Sequence, residues 1–312
     1  MRLRAASAPS GTAEGEVTAA DPSERFDRRV RRLPHLGLGV STEYGAHRSA
    51  DTLDLARLVA EHPACVRFLE CGVEVAKGLD EDMRRWAGAG RPTTYHFLDL
   101  NLDEPEDFDP AWMAAVMEFL EVLRPAWICG DAGLWHFGPR DRGHMLLLPP
   151  ILSDASATAL AAGIVRLREA TGREVLPENP PGQVFLGDLH ILDFFARVAE
   201  RADTGVLLDL AHLAIYQRAM GFEVTDGLDG FPLERVVEVH VAGGRERVHE
   251  GLAWIEDEHG PEPIADTWTL AERVIPRAPE LRAVVFECER NTNGAVGAGF
   301  ARLAGLMPAG AR

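Results

Sequence analysis

Gly205-Val206-Leu207-Leu208-Asp209-Leu210-Ala211-His212 is a short apolar run that stops abruptly on an acid. Its length and composition predict a buried strand whose last residue is delivered to the strand's end. If a helix begins just beyond, Asp209 and His212, three residues apart, can turn an oxygen and a nitrogen toward one point, as a divalent metal requires. The pair also fits a plainer role, Asp209 as a helix N-cap and His212 as a half-buried helix residue. What other runs bring to the same place decides between the two.

Outward from this stretch the same unit recurs, a short apolar run followed by an amphipathic one, which is the sequence form of a βα unit. Eight such runs fall at 36–41, 65–71, 93–100, 126–131, 174–178, 205–209, 236–242 and 283–288, with helical patterns including 50–61, 110–123, 155–170, 189–202 and 265–275 between them. Ser153 or Asp154 can cap the helix over 155–170, and Thr171-Gly172 can close it. Eight units in one chain predict an α/β fold of the (β/α)8 TIM-barrel type, a single metal-binding domain over 34–312. An open doubly wound sheet comes second, because no Gly-x-Gly-x-x-Gly follows the first run. Residues 1–33 lack periodicity, end in Arg28-Arg29-Val30-Arg31-Arg32, and read as a disordered leader.

Composition narrows the partners. With 32 Lys and Arg against 49 Asp and Glu, the charge is 32 − 49 = −17, which repels phosphate backbones and anionic membranes. No nucleic acid and no membrane are expected as partners. Cys65, Cys71, Cys129 and Cys288 show neither Cys-x-x-Cys spacing nor a disulfide framework, which fits a cytoplasmic location. No apolar run has the roughly 18 to 20 residues of a membrane span.

In a barrel the reactive face lies at the strand C-termini, so the ends of the runs are the candidates. His96 lies near the end of the third, Asp131 ends the fourth, Glu178 the fifth and Asp209 the sixth, with His212 beyond it. The seventh presents His240, a loop after it offers Asp257 and His259, and the eighth carries Glu287. Singly each has a structural reading: Glu178 paired with an arginine, His240 satisfied in the wall, Glu287 bonded to backbone. Together they form an acid cluster that destabilises a fold by several kcal/mol unless cations neutralise it. Imidazole and carboxylate without thiolate suit zinc, iron or manganese, and the set exceeds the roughly four to six ligands of one ion. Two or three ions are expected, with Asp257 the first candidate for a proton-shuttling catalytic acid. Arg245, after Gly243-Gly244, is a candidate clamp for a substrate carboxylate, and Trp135 a candidate pocket wall.

The order and context of these residues resemble the multinuclear non-heme iron-dependent oxidases, a family once known only as a domain of unknown function and including the methanobactin-biosynthesis oxidase. The resemblance runs from about Pro34 to Glu287 and is carried by Gly37-Leu38-Gly39, Phe68-Leu69-Glu70, Tyr95-His96, Gly130-Asp131-Ala132-Gly133-Leu134-Trp135, Leu147-Leu148-Pro149-Pro150, Pro177-Glu178-Asn179, Leu207-Leu208-Asp209, His240-Val241-Ala242-Gly243 and Asp257-Glu258-His259. It implies a barrel in the xylose isomerase and endonuclease IV superfamily that holds two or three irons. It further implies dioxygen as co-substrate, a ribosomal precursor peptide modified commonly at cysteine, and a separate partner protein that presents it. Two departures stand out: Ala132 where the family usually has histidine, and His212 where many members have asparagine. His136 and Glu74 are the candidates to make good the missing ring. A zinc or manganese hydrolase or isomerase and a non-catalytic peptide-binding barrel are the other readings.

Overall fold

Apolar runs too short for helices become strands buried on both faces, which is the environment that β-branched and aliphatic side chains fill best. In the computed structural model, which describes residues 24–45, 52–138, 142 and 146–307, these are β1 (Gly37–Glu43), β2 (Leu69–Val73), β3 (Thr93–Phe97), β4 (Ile128–Asp131), β5 (Val175–Glu178), β6 (Val206–Asp209), β7 (Val236–His249) and β9 (Ala283–Glu287). All pair in parallel with their neighbours, and β6 pairing with β7 closes the ring, so the expected (β/α)8 barrel is the fold. The strand expected at 65–71 begins later, at Leu69, and the one expected at 236–242 runs on to His249.

The sequence reading assigned a loop to the segment holding Asp257 and His259. It is instead a strand, β8 (Leu252–Gly260), paired antiparallel with the extended end of β7. Both faces of this ribbon are largely exposed, so it has no buried face to impose a hydrophobic alternation. At its base a Cβ on Gly243 would lie 2.2 Å from the backbone oxygen of Gly260, which is why glycine stands there.

The helices are α1 (Phe26–Arg29), α2 (Leu55–Glu61), α3 (Glu81–Gly88), α4 (Pro110–Leu123), α5 (Asp154–Thr171), α6 (Ile191–Ala202), α7 (Leu210–Met220), α8 (Ala265–Val274) and α9 (Asn293–Leu306). Ser153 caps α5 by accepting from the N–H of Ser156, and Gly172 ends it in the left-handed conformation. On α6 one face buries Phe194, Phe195 and Val198, each worth about 1.5–3 kcal/mol when fully removed from water.

Of the expected leader, residues 1–23 lie outside the described residues, and 24–33 are packed. Phe26 and Val30 are buried with Leu36, Phe68, Trp127, Leu207 and Val285, closing the barrel at the strand N-termini. Arg29 of the basic cluster is buried, its Nε donating to Glu174 at 2.8 Å, with a further bond to the backbone oxygen of Asp203. The packed chain therefore begins before residue 34.

Candidate metal centre

Alternation along each strand sets what faces the barrel axis. Outward residues Ile128, Val175, Val206, Leu208, Val284 and Phe286 pack in the large core, whereas inward Cys129, Leu176, Leu207 and Val285 fill the barrel floor. Two residues further along, still inward, stand Asp131, Glu178, Asp209 and Glu287. Register then sets neighbours: Asp131 lies beside Glu178, and Asp209 beside His240.

His240, fully buried, has its Nδ1 3.2 Å from both Glu178 Oε1 and Glu287 Oε1, and its Nε2 3.1 Å from Glu70 Oε1, yet neither nitrogen makes a hydrogen bond of acceptable geometry. His96 Nε2 donates to Glu178 Oε2 at 2.7 Å and lies 3.9 Å from Asp131. Asp209 has the N-cap role of the plainer reading and also turns an oxygen into the cluster. Its Oδ1 caps α7 by accepting from the N–H of His212 at 2.6 Å, while its Oδ2 is buried without a partner. His212 Nδ1 donates to the carbonyl of Asn179 at 2.9 Å, which leaves Nε2 as the ligand nitrogen, 3.2 Å from Asp257 Oδ2. His259 Nε2 approaches the same oxygen at 3.3 Å, and its Nδ1 is oriented by Glu289 at 2.6 Å, itself held by Ser41.

Among the described residues, four sets bring one ligand atom each within 4.8 Å of one another: Glu70, His240 and Glu287; His96, Asp131 and Glu178; Glu178, Asp209 and His212; and, deeper toward the barrel floor, Glu70, Cys129 and Glu238. The Nδ1 bond of His212 favours its service on the Asp257 and His259 side instead. Glu70 and Glu289 were not among the candidates from sequence. The signal for Glu70 was an acid inside an apolar run, and for Glu289 an acid two residues beyond Glu287.

Seven carboxylates (Glu70, Asp131, Glu178, Asp209, Asp257, Glu287, Glu289) and four imidazoles (His96, His212, His240, His259) make this cluster, so even with every ring protonated the charge is 4 − 7 = −3. Burial opposes charge on His96, but its hydrogen bond to Glu178 and the charges of Glu178, Glu70 and Asp131 raise its pKa to about 9. His212, His240 and His259 are likewise raised well above the ordinary imidazole value by surrounding carboxylates, against burial. Burial and the charge of Glu178 push Asp131 well up, and burial lifts Asp209 to about 8. Glu178, in spite of burial, is held well below the carboxylate range by His240 and His96. Acids forced to keep protons beside acids that cannot is the signature of a missing counter-charge. Unpartnered Asp131 Oδ1, Glu178 Oε1, Asp209 Oδ2, Asp257 Oδ1, Glu287 Oε2 and both nitrogens of His240 are the donors a cation would satisfy. The residues fit metal.

The cluster opens into a cavity of about 180 Å³ whose wall includes Trp135 and Leu147, with Arg290 its only lysine or arginine among the described residues. Trp135 is where the sequence reading put it, its indole donating to the backbone oxygen of Asp131. Arg245 stands elsewhere, on the β7–β8 ribbon, paired with Glu258 at 2.6 Å. His136 does not make good the ring absent at 132, since its nitrogens are engaged by Gly138 O and Asp107. Glu74 pairs with Lys77. Ala132 lines a separate cavity behind the site rather than the site itself.

A closed (β/α)8 barrel with acids and imidazoles gathered at its mouth is a TIM barrel with a candidate metal centre. The fold is shared with a xylose isomerase-like TIM barrel protein from Mycobacterium smegmatis in complex with magnesium (TM-score 0.56, 8% identity, 87% of this chain and 97% of that one). It is shared too with 3-keto-D-glucoside 4-epimerase from E. coli (TM-score 0.51, 13% identity, 86% and 98%). Such identities speak to fold alone. Residues 52–295 match the family model described as RiPP precursor modification enzyme MbnB/TglH/ChrH, and the chain belongs to that family. Among its relatives are a UPF0276 protein of Caulobacter vibrioides, 29% identical over 248 residues (78% of this chain, 84% of the relative), and one of Anaeromyxobacter sp., 25% identical over 196 residues (62% and 67%).

Proposed function

We propose that this chain is an iron-dependent oxidase that uses dioxygen to modify a ribosomally made precursor peptide, commonly at cysteine, with a partner protein presenting the substrate. The observation that carries the metal part is the set of buried, unpartnered carboxylate and imidazole atoms at the barrel mouth; membership of a precursor-modifying family carries the peptide part. His96, Asp131, Glu178, Asp209, His240 and Glu287, joined by Glu70, would hold the ions on one side, and His212, Asp257 and His259 on the other. When bound, iron supplies one-electron redox chemistry with dioxygen.

The chain's own groups do the rest. Trp135 and Leu147 wall the opening and keep water from the reacting side chain. In the proposed proton-shuttling role Asp257 relays a proton and does not keep it: His259 and His212 hold its pKa far down in spite of burial, so an oxygen the ions leave free passes on at once what it receives. Arg290, paired with Glu43 at 3.0 Å, offers the mouth a guanidinium. A phosphate-handling hydrolase would want a basic rim, and the guanidiniums of Arg245 and Arg247 are already matched by Glu258 and Glu256.

Protein purified without oxygen should contain at least two metal ions per chain, chiefly iron, and consume dioxygen when given its precursor peptide. One ion or fewer after anaerobic iron reconstitution, by elemental analysis, would sink the multinuclear reading, and zinc in place of iron would sink the oxidase.

A further inference from the structure

The barrel mouth carries an apolar surface that the metal chemistry leaves unused. Residues 146–153, before α5, and 179–190, after β5, meet in a parallel bridge between Leu152 and Gly187, where the N–H of Leu152 donates to Leu186 O at 2.6 Å. Ile151 and Leu186, one residue before each bridge partner, therefore stand side by side. They are 55% and 63% exposed, while Leu152 is buried. On the same two loops Val184, two residues before Leu186 with buried Phe185 between, is 71% exposed and Leu148, three residues before Ile151, 46%. Adjoining exposed apolar side chains of this kind mark interaction sites.

Beside Ile151 lies a cavity of about 200 Å³ lined mainly by Leu102, Ala132, Leu134, Pro149 and Leu160. The small side chain at 132 leaves that space open. The same loop reaches the metal centre, since Leu147, next to Leu148 in the chain, walls the pocket holding His96 and Glu178. Gln183 ties the second loop to the ribbon carrying Asp257, its Nε2 donating to Ile255 O at 2.6 Å.

We infer that this platform and its cavity bind the apolar side chains flanking the modified residue of the substrate peptide. The inference rests on the reading of the chain as a peptide-modifying enzyme. A peptide is favoured over a folded partner because the cavity is of side-chain size, and because a chain lying on the platform leads past Leu147 into the acid and imidazole pocket.

The test uses two fluorescein-labelled synthetic peptides that differ only in having Leu or Asp on either side of a central Ser, with anisotropy measured on the full chain and metal content on the same sample. The Leu peptide should bind and the Asp peptide should not. Ile151→Asp with Leu186→Asp, both at exposed positions, should weaken the Leu peptide at least about tenfold. Ala132→Leu, checked for folding by circular dichroism, should weaken it by filling the cavity. Failure of the Leu peptide to bind, equal binding of both peptides, or unchanged affinity in the double variant would overturn the inference. So would a dimer in light scattering that the double variant makes monomeric, which would assign the surface to a second copy. Protein that still takes up no iron after anaerobic reconstitution yet binds the Leu peptide through the platform would sink the oxidase reading and leave this one standing; iron-loaded protein indifferent to the flanks does the reverse.

Discussion

Glu178 is the residue on which the centre turns. One oxygen takes the hydrogen bond of His96, the other lies 3.2 Å from His240 and 3.6 Å from His212, so three imidazoles share one carboxylate. The surrounding acids keep those rings protonated at neutral pH, His96 up to about 9. A ring that ligates must first lose that proton, so metal binding at pH 7 is expected to release protons. The sign follows. Apparent affinity should rise with pH through about 9, where His96 is half deprotonated, and fall as acid restores the proton. Titration calorimetry in two buffers of different ionisation heat measures the release, and none at pH 7 would contradict the protonated cluster.

Two elements outside the eight βα repeats decide much of the rest. Helix α1 sets Arg29 against Glu174 in a buried ion pair, and removing one partner of such a pair costs about 3–5 kcal/mol. Arg29→Ala is therefore expected to lower stability by that order in urea unfolding, with metal content preserved, since the pair lies at the far end of the barrel. A loss well under 1 kcal/mol, roughly the worth of an exposed pair, would mean that Arg168, 3.9 Å from Glu174, takes over. The β7–β8 ribbon carries Asp257 and His259 to the mouth, the latter at a left-handed φ of 50°. In Gly243→Ala the new methyl meets Gly260 O, so the ribbon must shift. Fewer metal ions per chain are expected in a barrel still folded by circular dichroism; full occupancy would show that the ribbon's two side chains are not needed for binding.

For the whole molecule, net charge bears on the kind of partner it can take. At −17 the chain repels a duplex, and phosphate contacts are strongest at low salt. Duplex DNA should not bind even there, by anisotropy; salt-sensitive binding would overturn the assignment of a peptide substrate. No helix of the described residues is long and apolar enough to cross a membrane.

The eight barrel strands, and the inward acids near their ends, were legible because a strand buried on both faces must be apolar, and an acid breaking such a run stands out at once. Asp209, Glu178, Asp131 and Glu287 are read this way from local pattern alone. Tertiary structure decided which groups meet. Barrel closure through β6 and β7, and the register across it, set Asp209 beside His240 and brought Glu70 from the opposite wall to the same ring. It also decided the ribbon and α1, because a two-stranded ribbon exposed on both faces, or a single helical turn, has too few buried positions to leave a period in the sequence. Where Ala132 points was likewise settled only by packing: one residue past an inward acid, alternation turns its side chain away from the metals and into the apolar cavity.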